Sequence, residues 1–410
     1  MQTDKQTNAT GPGLLLAHLK VIDAASFLAG PGAATVLGDF GADVIKVEPL
    51  AGDGYRTLSK PWRTDYNWQL TSRNKRSIAL DLNTAAGRGV MDRLVDGADV
   101  LVVNFFDDQL ERYGLAYERL RARNPRLVYA RISGYGSEGP EANRRGFDST
   151  AWWARSGLMD LVRDPGQPPL MGAPGFGDHA TAMSLFGAIL LGLYRRELTG
   201  EGAAVETSLL ANGLWANGMQ LQGAVAGFDL GALRQEKGLR NPLTSVYGTT
   251  DGRHVLLALV NAGREWPALC GALDRPDWPG RYPDMRALMK DRDFLKTEIA
   301  GIIGALPLAE VRRRLDAADV TYSVVQNLTE ALEDPQARAA GYIQTTGISD
   351  PDYGLTVASP VSVGGVAKVP PGRAPDVGEH TRTVLAEAVF SAADIDALLA
   401  AGAVAEPADD

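Results

Sequence analysis

Near the start of the chain, short apolar runs alternate with glycine-bearing and polar segments. "KVIDAA" (20–25) reads as a strand and "GPGAATVLGDFG" (30–41) as a short helix stopped by Gly41. "DVIKVEP" (43–49) is a second strand, stopped by Pro49. Strand, helix, strand is a βαβ unit. The alternation then continues. "SIALDL" (77–82) is a strand, Thr84 caps a helix running to Gly97, and "DVLVVN" (99–104) is the next strand. Two short helical pieces lead on to "LVYARIS" (127–133). Strands alternating with helices predict an α/β fold whose parallel sheet is covered on both faces.

Further along, the pattern coarsens. A long helix from about 179 ends at "TGEG" (199–202), where Gly200 supplies a left-handed cap. A second apolar helical stretch covers about 207–227, and "FDLGALRQEKGLRNP" (228–242) breaks it as a linker. "SVYGTTDGRHVLLALV" (245–260) predicts a hairpin turning at Asp251-Gly252, and helical stretches fill 263–318. From 329 come a helix, two or three strands to 369 and a last helix capped by Ser391. The expected layout is a large Rossmann-like domain over 1–205, a linker helix and connection over 206–239, a small α+β domain over 240–325, and a C-terminal part, 326–410, that returns to the large domain. Residues 1–12 and the closing "AEPADD" read as loose tails.

Composition narrows the function. The chain has 410 residues, 45% hydrophobic and 22% charged, which suffices for a full core. Its net charge of −9 argues against a general nucleic-acid binder, since phosphate backbones select a basic field. Cys270 is the sole cysteine, so no intrachain disulfide and no cysteine-based zinc site can form, which fits a reducing, cytoplasmic setting. The four histidines (His18, His179, His254, His380) show no metal-ligand spacing, so no metal is expected. The longest apolar runs, near 185–194, are too short to span a bilayer, so no membrane is expected either.

Several places invite chemistry. "PGFGDHATAM" (174–183) sets Asp178 between glycines and an apolar helical run. Asp178 reads either as a helix N-cap or as a catalytic carboxylate, with Gly175 and Gly177 leaving the backbone bare around it. His179, beside it, is a possible general base or a structural histidine. "AGPGAAT" matches the first two glycines of a dinucleotide fingerprint through Gly30 and Gly32, with Glu48 where a ribose-binding acid belongs. Thr35 stands in place of the third glycine. Arg73, Lys75 and Arg76 lie just before a strand, and Arg112 follows another. Such charges are usually solvated, but together they would suit a phosphorylated ligand. Trp152 and Trp153 read as core or as a substrate wall.

Taken together, "VIDAASFLAGPGAATVLGDFGADVIKVEP", "NKRSIALDL", "ADVLVVNF", "LVYARISGYG", "GFGDHATAM", "LTGEGAAVETSLL", "EDPQARAAGY" and "VGEHTRTVL" resemble the class III CoA-transferases of the CaiB/BaiF type, in order from about 20 to 400. The resemblance implies a Rossmann-like large domain from both chain ends, a small inserted domain and an interlocked homodimer. It implies coenzyme A, as an acyl-CoA thioester, and a small carboxylic acid as substrates. The catalytic aspartate of the family falls on Asp178, which would form an acyl anhydride and then an aspartyl-CoA thioester. CoA contacts fall on Leu28, Ala29, Asn74, Lys75, Arg76, Asn104, Phe105, Arg112 and Tyr135. Pro49 and Ser133 stand where formyl-CoA transferases of the family carry cations, and "GLRNPLTS" (238–245) replaces their glycine-rich flap. Racemases of the family need a histidine where Phe147 stands, which favours transfer, with His179 as the one substitute base. A catalytically dead CoA-binding protein is the non-enzymatic alternative. The segments around 147–158 and 174–183 look most like transferases for bile acids and aryl acids, with a short dicarboxylate as the other substrate class.

Overall fold

A computed structural model describes residues 13–58, 65–237 and 241–407. The tail over 1–12 and the last residues, 408–410, lie outside the described residues, as do the first three of the 238–245 segment. The chain divides into two compact units. The larger comprises Met1–Val162, Pro169–Ala226 and Arg338–Asp410; the smaller comprises Arg163–Pro168 and Gly227–Ala337.

Six parallel strands form the frame of the larger unit: β1 (Lys20–Asp23), β2 (Asp43–Glu48), β3 (Arg76–Leu80), β4 (Val100–Val103), β5 (Val128–Ser133) and β6 (Ala203–Ser208). Their order is β3-β2-β1-β4-β5-β6, and a short strand at Val404–Ala405 closes the β3 edge antiparallel. The order reverses between β1 and β4, the switch point at which open α/β sheets leave a crevice beyond the strand ends. Neighbouring residues along each strand face opposite ways, so Val21, Val44, Val100 and Val128 enter one core. Ile22, Ile45, Leu101 and Tyr129 enter the other. Each such side chain fully withdrawn from water contributes about 1.5–3 kcal/mol.

The first of these cores is roofed by α1 (Ala29–Asp39) and by the helix Phe176–Thr199, which pack on each other. That second helix has 24 residues and is long and apolar enough to cross a membrane. Its contacts with α1, β5 and β6 account for part of that apolarity, the face that carries Leu185, Phe186, Ile189 and Leu193. The helix over 85–96 is capped by the Thr84 hydroxyl and covers the opposite face. The expected helical stretch over 207–227 is two helices, Leu209–Ala216 and Gly218–Val225, and strand β6, just ahead of them, is the element the apolar pattern misses. In "AAVETS" only Val205 is strongly apolar, and the strand alternates between half-buried and exposed positions, so periodicity gives little sign of it.

The smaller unit holds an antiparallel sheet of β7 (Val246–Gly248), β8 (His254–Leu257) and β9 (Tyr322–Val324). The hairpin turns at Gly252, as the Asp-Gly pair predicts. Helices Ala262–Ala272 and Arg292–Gly304 bury Trp266, Leu269, Cys270, Leu295 and Ile299 in this unit's own core. Within the expected linker, Leu230–Lys237 is helical.

Candidate active site

The loop that leaves β1 crosses the switch point and is tied there to β4. Asn104 Oδ1 accepts from the Ser26 N–H at 3.0 Å, and its Nδ2 donates to the Ser26 carbonyl at 2.9 Å. Leu28 is buried as the first, capping residue of α1, Ala29 opens the helix, and Phe105 packs edge-on to Tyr113 at 5.4 Å. The glycines of "AGPGAAT" serve packing. A Cβ at Gly30 would lie 2.5 Å from Ala25 Cβ, and one at Gly32 would lie 3.2 Å from Ala182 Cβ. Glu48 is buried and salt-bridged to Arg56 at 2.8 Å, with Ser77 donating to it at 2.7 Å. Neither the glycines nor the acid is arranged for a dinucleotide.

Asp178 sits in the first turn of the helix Phe176–Thr199, two residues inside it, so it is not the N-cap. Gly175 is the N-cap, at φ +92°, a conformation that only glycine adopts without strain. The carboxylate of Asp148 holds this turn by accepting the Gly175 N–H at 2.7 Å. Asp148 is itself buried, at the start of a wide π-helical segment over Asp148–Ala154. Gly177 is bare for a different reason than expected. A Cβ there would lie 2.5 Å from Trp152 Cγ, so the glycine admits the buried indole rather than a substrate. Trp152 is therefore core, with Trp153 edge-on to it at 4.8 Å.

Among the described residues, the Asp178 carboxylate has no ion pair and no hydrogen bond. Burial, reinforced by the charge of Asp148, pushes its pKa from 3.8 to about 7. The first intrahelical bond is His179 N–H to the Gly175 carbonyl, so the amides of Phe176, Gly177 and Asp178 precede the helical ladder and face outward as donors. Surrounding protein, and then the positive charge of Arg73, hold the His179 imidazole below its ordinary value and so neutral, although part of the ring is exposed. Tyr55 is close enough for the Asp178 charge, after burial itself, to raise its phenol above the ordinary value.

The remaining expected contacts separate into two groups. Tyr135 is half-buried beyond β5, with Arg155 and Arg144 over its ring at 5.4 and 5.8 Å. Arg112 is exposed and, among the described residues, hydrogen-bonds only to its neighbour Tyr113, at 2.8 Å. These two lie with Leu28, Ala29, Asn104 and Phe105 on the elements that leave the strand ends of β1, β4 and β5. Asn74, Lys75 and Arg76 do not join them. Asn74 Oδ1 accepts from Gly372 at 2.7 Å. The buried Lys75 ammonium spends its three hydrogens on Asp23 (2.9 Å), the Pro31 carbonyl (2.8 Å) and the Thr71 carbonyl (2.7 Å). Arg76 is closed off by Asp43, at the opposite end of β2, and by Glu387. With Arg73 held by Asp39 at 2.7 Å, internal ion pairs thus occupy three of the four cations that would suit a phosphorylated ligand. Arg145, exposed in the loop after β5, holds no ion pair among the described residues, and its place in a glycine-rich loop was the one sequence signal for it. Pro49 is exposed, and Ser133 Oγ accepts from Gly136 within the same loop. Among the described residues no group of three His, Cys, Asp or Glu is placed to hold a metal ion.

Known proteins share both the sequence and the fold. The chain is 31% identical to (R)-2-hydroxy-4-methylpentanoate CoA-transferase of Clostridioides difficile, over 91% of this chain and 95% of that protein. It is 30% identical to cinnamoyl-CoA:phenyllactate CoA-transferase of Clostridium sporogenes, over 94% and 96%. It is 33% identical to succinyl-CoA:mesaconate CoA-transferase of Haloarcula marismortui, over 91% and 96%. A CaiB/BaiF family protein of Brucella suis superposes with a TM-score of 0.78 at 29% identity, over 90% of this chain and 98% of that one. The family model described as CoA-transferase family III matches residues 16–381, and the chain belongs to that family.

Proposed function

We propose that this enzyme moves CoA from an acyl-CoA thioester to a free carboxylic acid, with Asp178 as the covalent nucleophile. The observation that carries this reading is a carboxylate at a helix N-terminus with no cation and no hydrogen bond among the described residues. Such a group is weakly solvated and free to attack. An Asp178 oxygen adds to the thioester carbonyl, the C–S bond breaks, and CoA leaves as thiolate. The thiolate then attacks the aspartyl carbonyl of the anhydride, releasing the donor acid and leaving an aspartyl-CoA thioester. The acceptor carboxylate attacks that thioester, thiolate departs, and its return to the acyl carbonyl yields the new acyl-CoA and free Asp178. No proton is gained or lost over the cycle. The amides ahead of the helical ladder are the donors for the transient oxyanions.

Leu28, Ala29, Asn104, Phe105 and Tyr135 are assigned to CoA, with exposed Arg112 and Arg145 as the phosphate contacts. A homodimer completes the proposal. Leu191, Tyr194 and Leu198 on one helix, with Trp215, Met219 and Val225 on the next two, expose apolar surface of the kind that self-association buries. A monomer by sedimentation would remove that part.

Incubation with an acyl-CoA and hydroxylamine should leave a hydroxamate on Asp178. Asp178→Ala should lose about three or more powers of ten in rate, as for removal of a covalent nucleophile. Near-normal transfer by that variant would end the mechanism. Phe147 supports transfer over racemisation. Its ring lies edge-on to Phe27 at 5.7 Å and offers no base. Solvent deuterium should therefore not enter the alpha carbon of a 2-methylacyl-CoA during turnover.

A further inference from the structure

Beside Asp178, three aromatic rings meet. Phe27 lies edge-on to Phe147 at 5.7 Å and to Tyr55 at 6.4 Å. The arrangement is held from below. Phe27 is at φ +66°, a strained conformation for a bulky residue. One carboxylate oxygen of Asp53 fixes it, accepting the N–H of Phe27 at 3.2 Å and of Tyr55 at 2.9 Å. The other Asp53 oxygen is paired with the buried Lys46 ammonium at 3.1 Å. Phe147 immediately precedes Asp148, which holds the Gly175 turn of the nucleophile's helix. Two of the rings so braced are nevertheless open, Phe27 at 38% and Phe147 at 55% exposure, while Tyr55 behind them is buried.

We propose that Phe27 and Phe147, with Tyr55 packed behind Phe27, form the wall against which the acyl group of the thioester lies, and that this wall selects aromatic or branched apolar acids over short dicarboxylates. The inference rests on the transferase reading above, which places the thioester carbonyl at Asp178. Exposed aromatic edges and faces reward an apolar or aryl group with contact. A second carboxylate against the same rings would be desolvated without a counter-ion. Lys46, Arg56, Arg73 and Lys75, cations of the neighbouring elements, are already salt-bridged to Asp53, Glu48, Asp39 and Asp23, and Arg145, two residues before Phe147, is the cation assigned above to the CoA phosphates.

Binding of 3-phenylpropanoyl-CoA, succinyl-CoA and free CoA to the Asp178→Asn variant, measured by calorimetry, tests this without turnover. The phenylpropanoyl thioester should bind about tenfold or more tightly than the succinyl one, the scale of one aromatic contact. Adding Phe147→Ala should erase about tenfold of that preference, Phe147→Tyr should keep it, and free CoA should bind all three alike. Equal or tighter binding of succinyl-CoA, or a preference indifferent to Phe147→Ala, overturns the wall while leaving the transferase reading intact. Absence of binding by free CoA overturns both.

Discussion

Two clusters of charge lie close together in the larger unit and are built on opposite principles. Under the loop after β1, Asp23, Glu48 and Asp53 meet Lys46, Arg56 and Lys75, three anions against three cations, in salt bridges of 2.8–3.9 Å. At the start of the helix Phe176–Thr199, Asp148 and Asp178 face each other's charge with no cation in ion-pair contact among the described residues. In the first cluster burial alone would discharge Lys46, but Asp23, Asp53 and Glu48 outweigh it and raise its pKa. In the second, burial and the neighbouring acid act in the same direction and raise Asp178 to about 7. Neutralised charge fixes the backbone that carries Phe27 and Tyr55. Unneutralised charge leaves a half-buried carboxylate that holds its proton up to about 7. One cluster is a foundation; the other holds the carboxylate proposed above as the nucleophile.

The largest way to break this contrast is to unbalance the foundation. Lys46→Met should destabilise the protein by about 3–5 kcal/mol, because Asp23 and Asp53 would stay buried with part of their counter-charge gone. Urea unfolding followed by intrinsic fluorescence measures it. A loss below about 1 kcal/mol would mean that the cluster is not a structural unit.

The Asp148–Asp178 pair should respond with the opposite sign. Asp178 ionises near 7 in the folded chain against 3.8 ordinarily, so the folded state holds that proton more tightly than the unfolded one. Rising pH therefore costs stability between those two values, and the penalty is complete above pH 7. Asp178→Asn should stabilise the protein by about 2 kcal/mol at pH 8, after allowance for solvent reaching the side chain, and by nothing below pH 4. Thermal melts at the two pH values separate this from any uniform effect of the amide.

The difference between the clusters also explains what the sequence could reveal. The βαβ frame is local, written in runs such as "DVIKVE", and Thr84, Gly200 and Ser391 cap helices where their residue types predict. Asp178 is equally local: a glycine turn, an acid and an apolar helix adjoin in the chain. Lys75 and Arg76 looked like phosphate ligands because their partners are remote in sequence. Asp23 lies 52 residues from Lys75, and Glu387 lies 311 from Arg76. A charge read without its partner looks free. Strand β6 and the two-residue strand at Val404–Ala405 were hidden for a related reason, since pairing with β5 and β3 defines them more than any pattern of their own.

The smallest change sharpens the contrast at a single oxygen. Attack on a thioester requires ionised Asp178, so kcat/KM for the acyl-CoA should be level above about pH 8 and fall as pH drops through 7. Burial is the larger cause of that position and Asp148 the smaller. Asp148→Asn keeps an oxygen to accept the Gly175 N–H, so the turn and its left-handed glycine should stand. What it removes is the like charge. The acid limb should then move down, by roughly half a unit to one unit. Because the plateau above pH 8 reports an Asp178 already ionised in both proteins, it should change far less than the limb. A plateau that falls by powers of ten with the limb fixed near 7 would show instead that Asp148 acts through the geometry of the turn, and that burial alone sets the ionisation of Asp178.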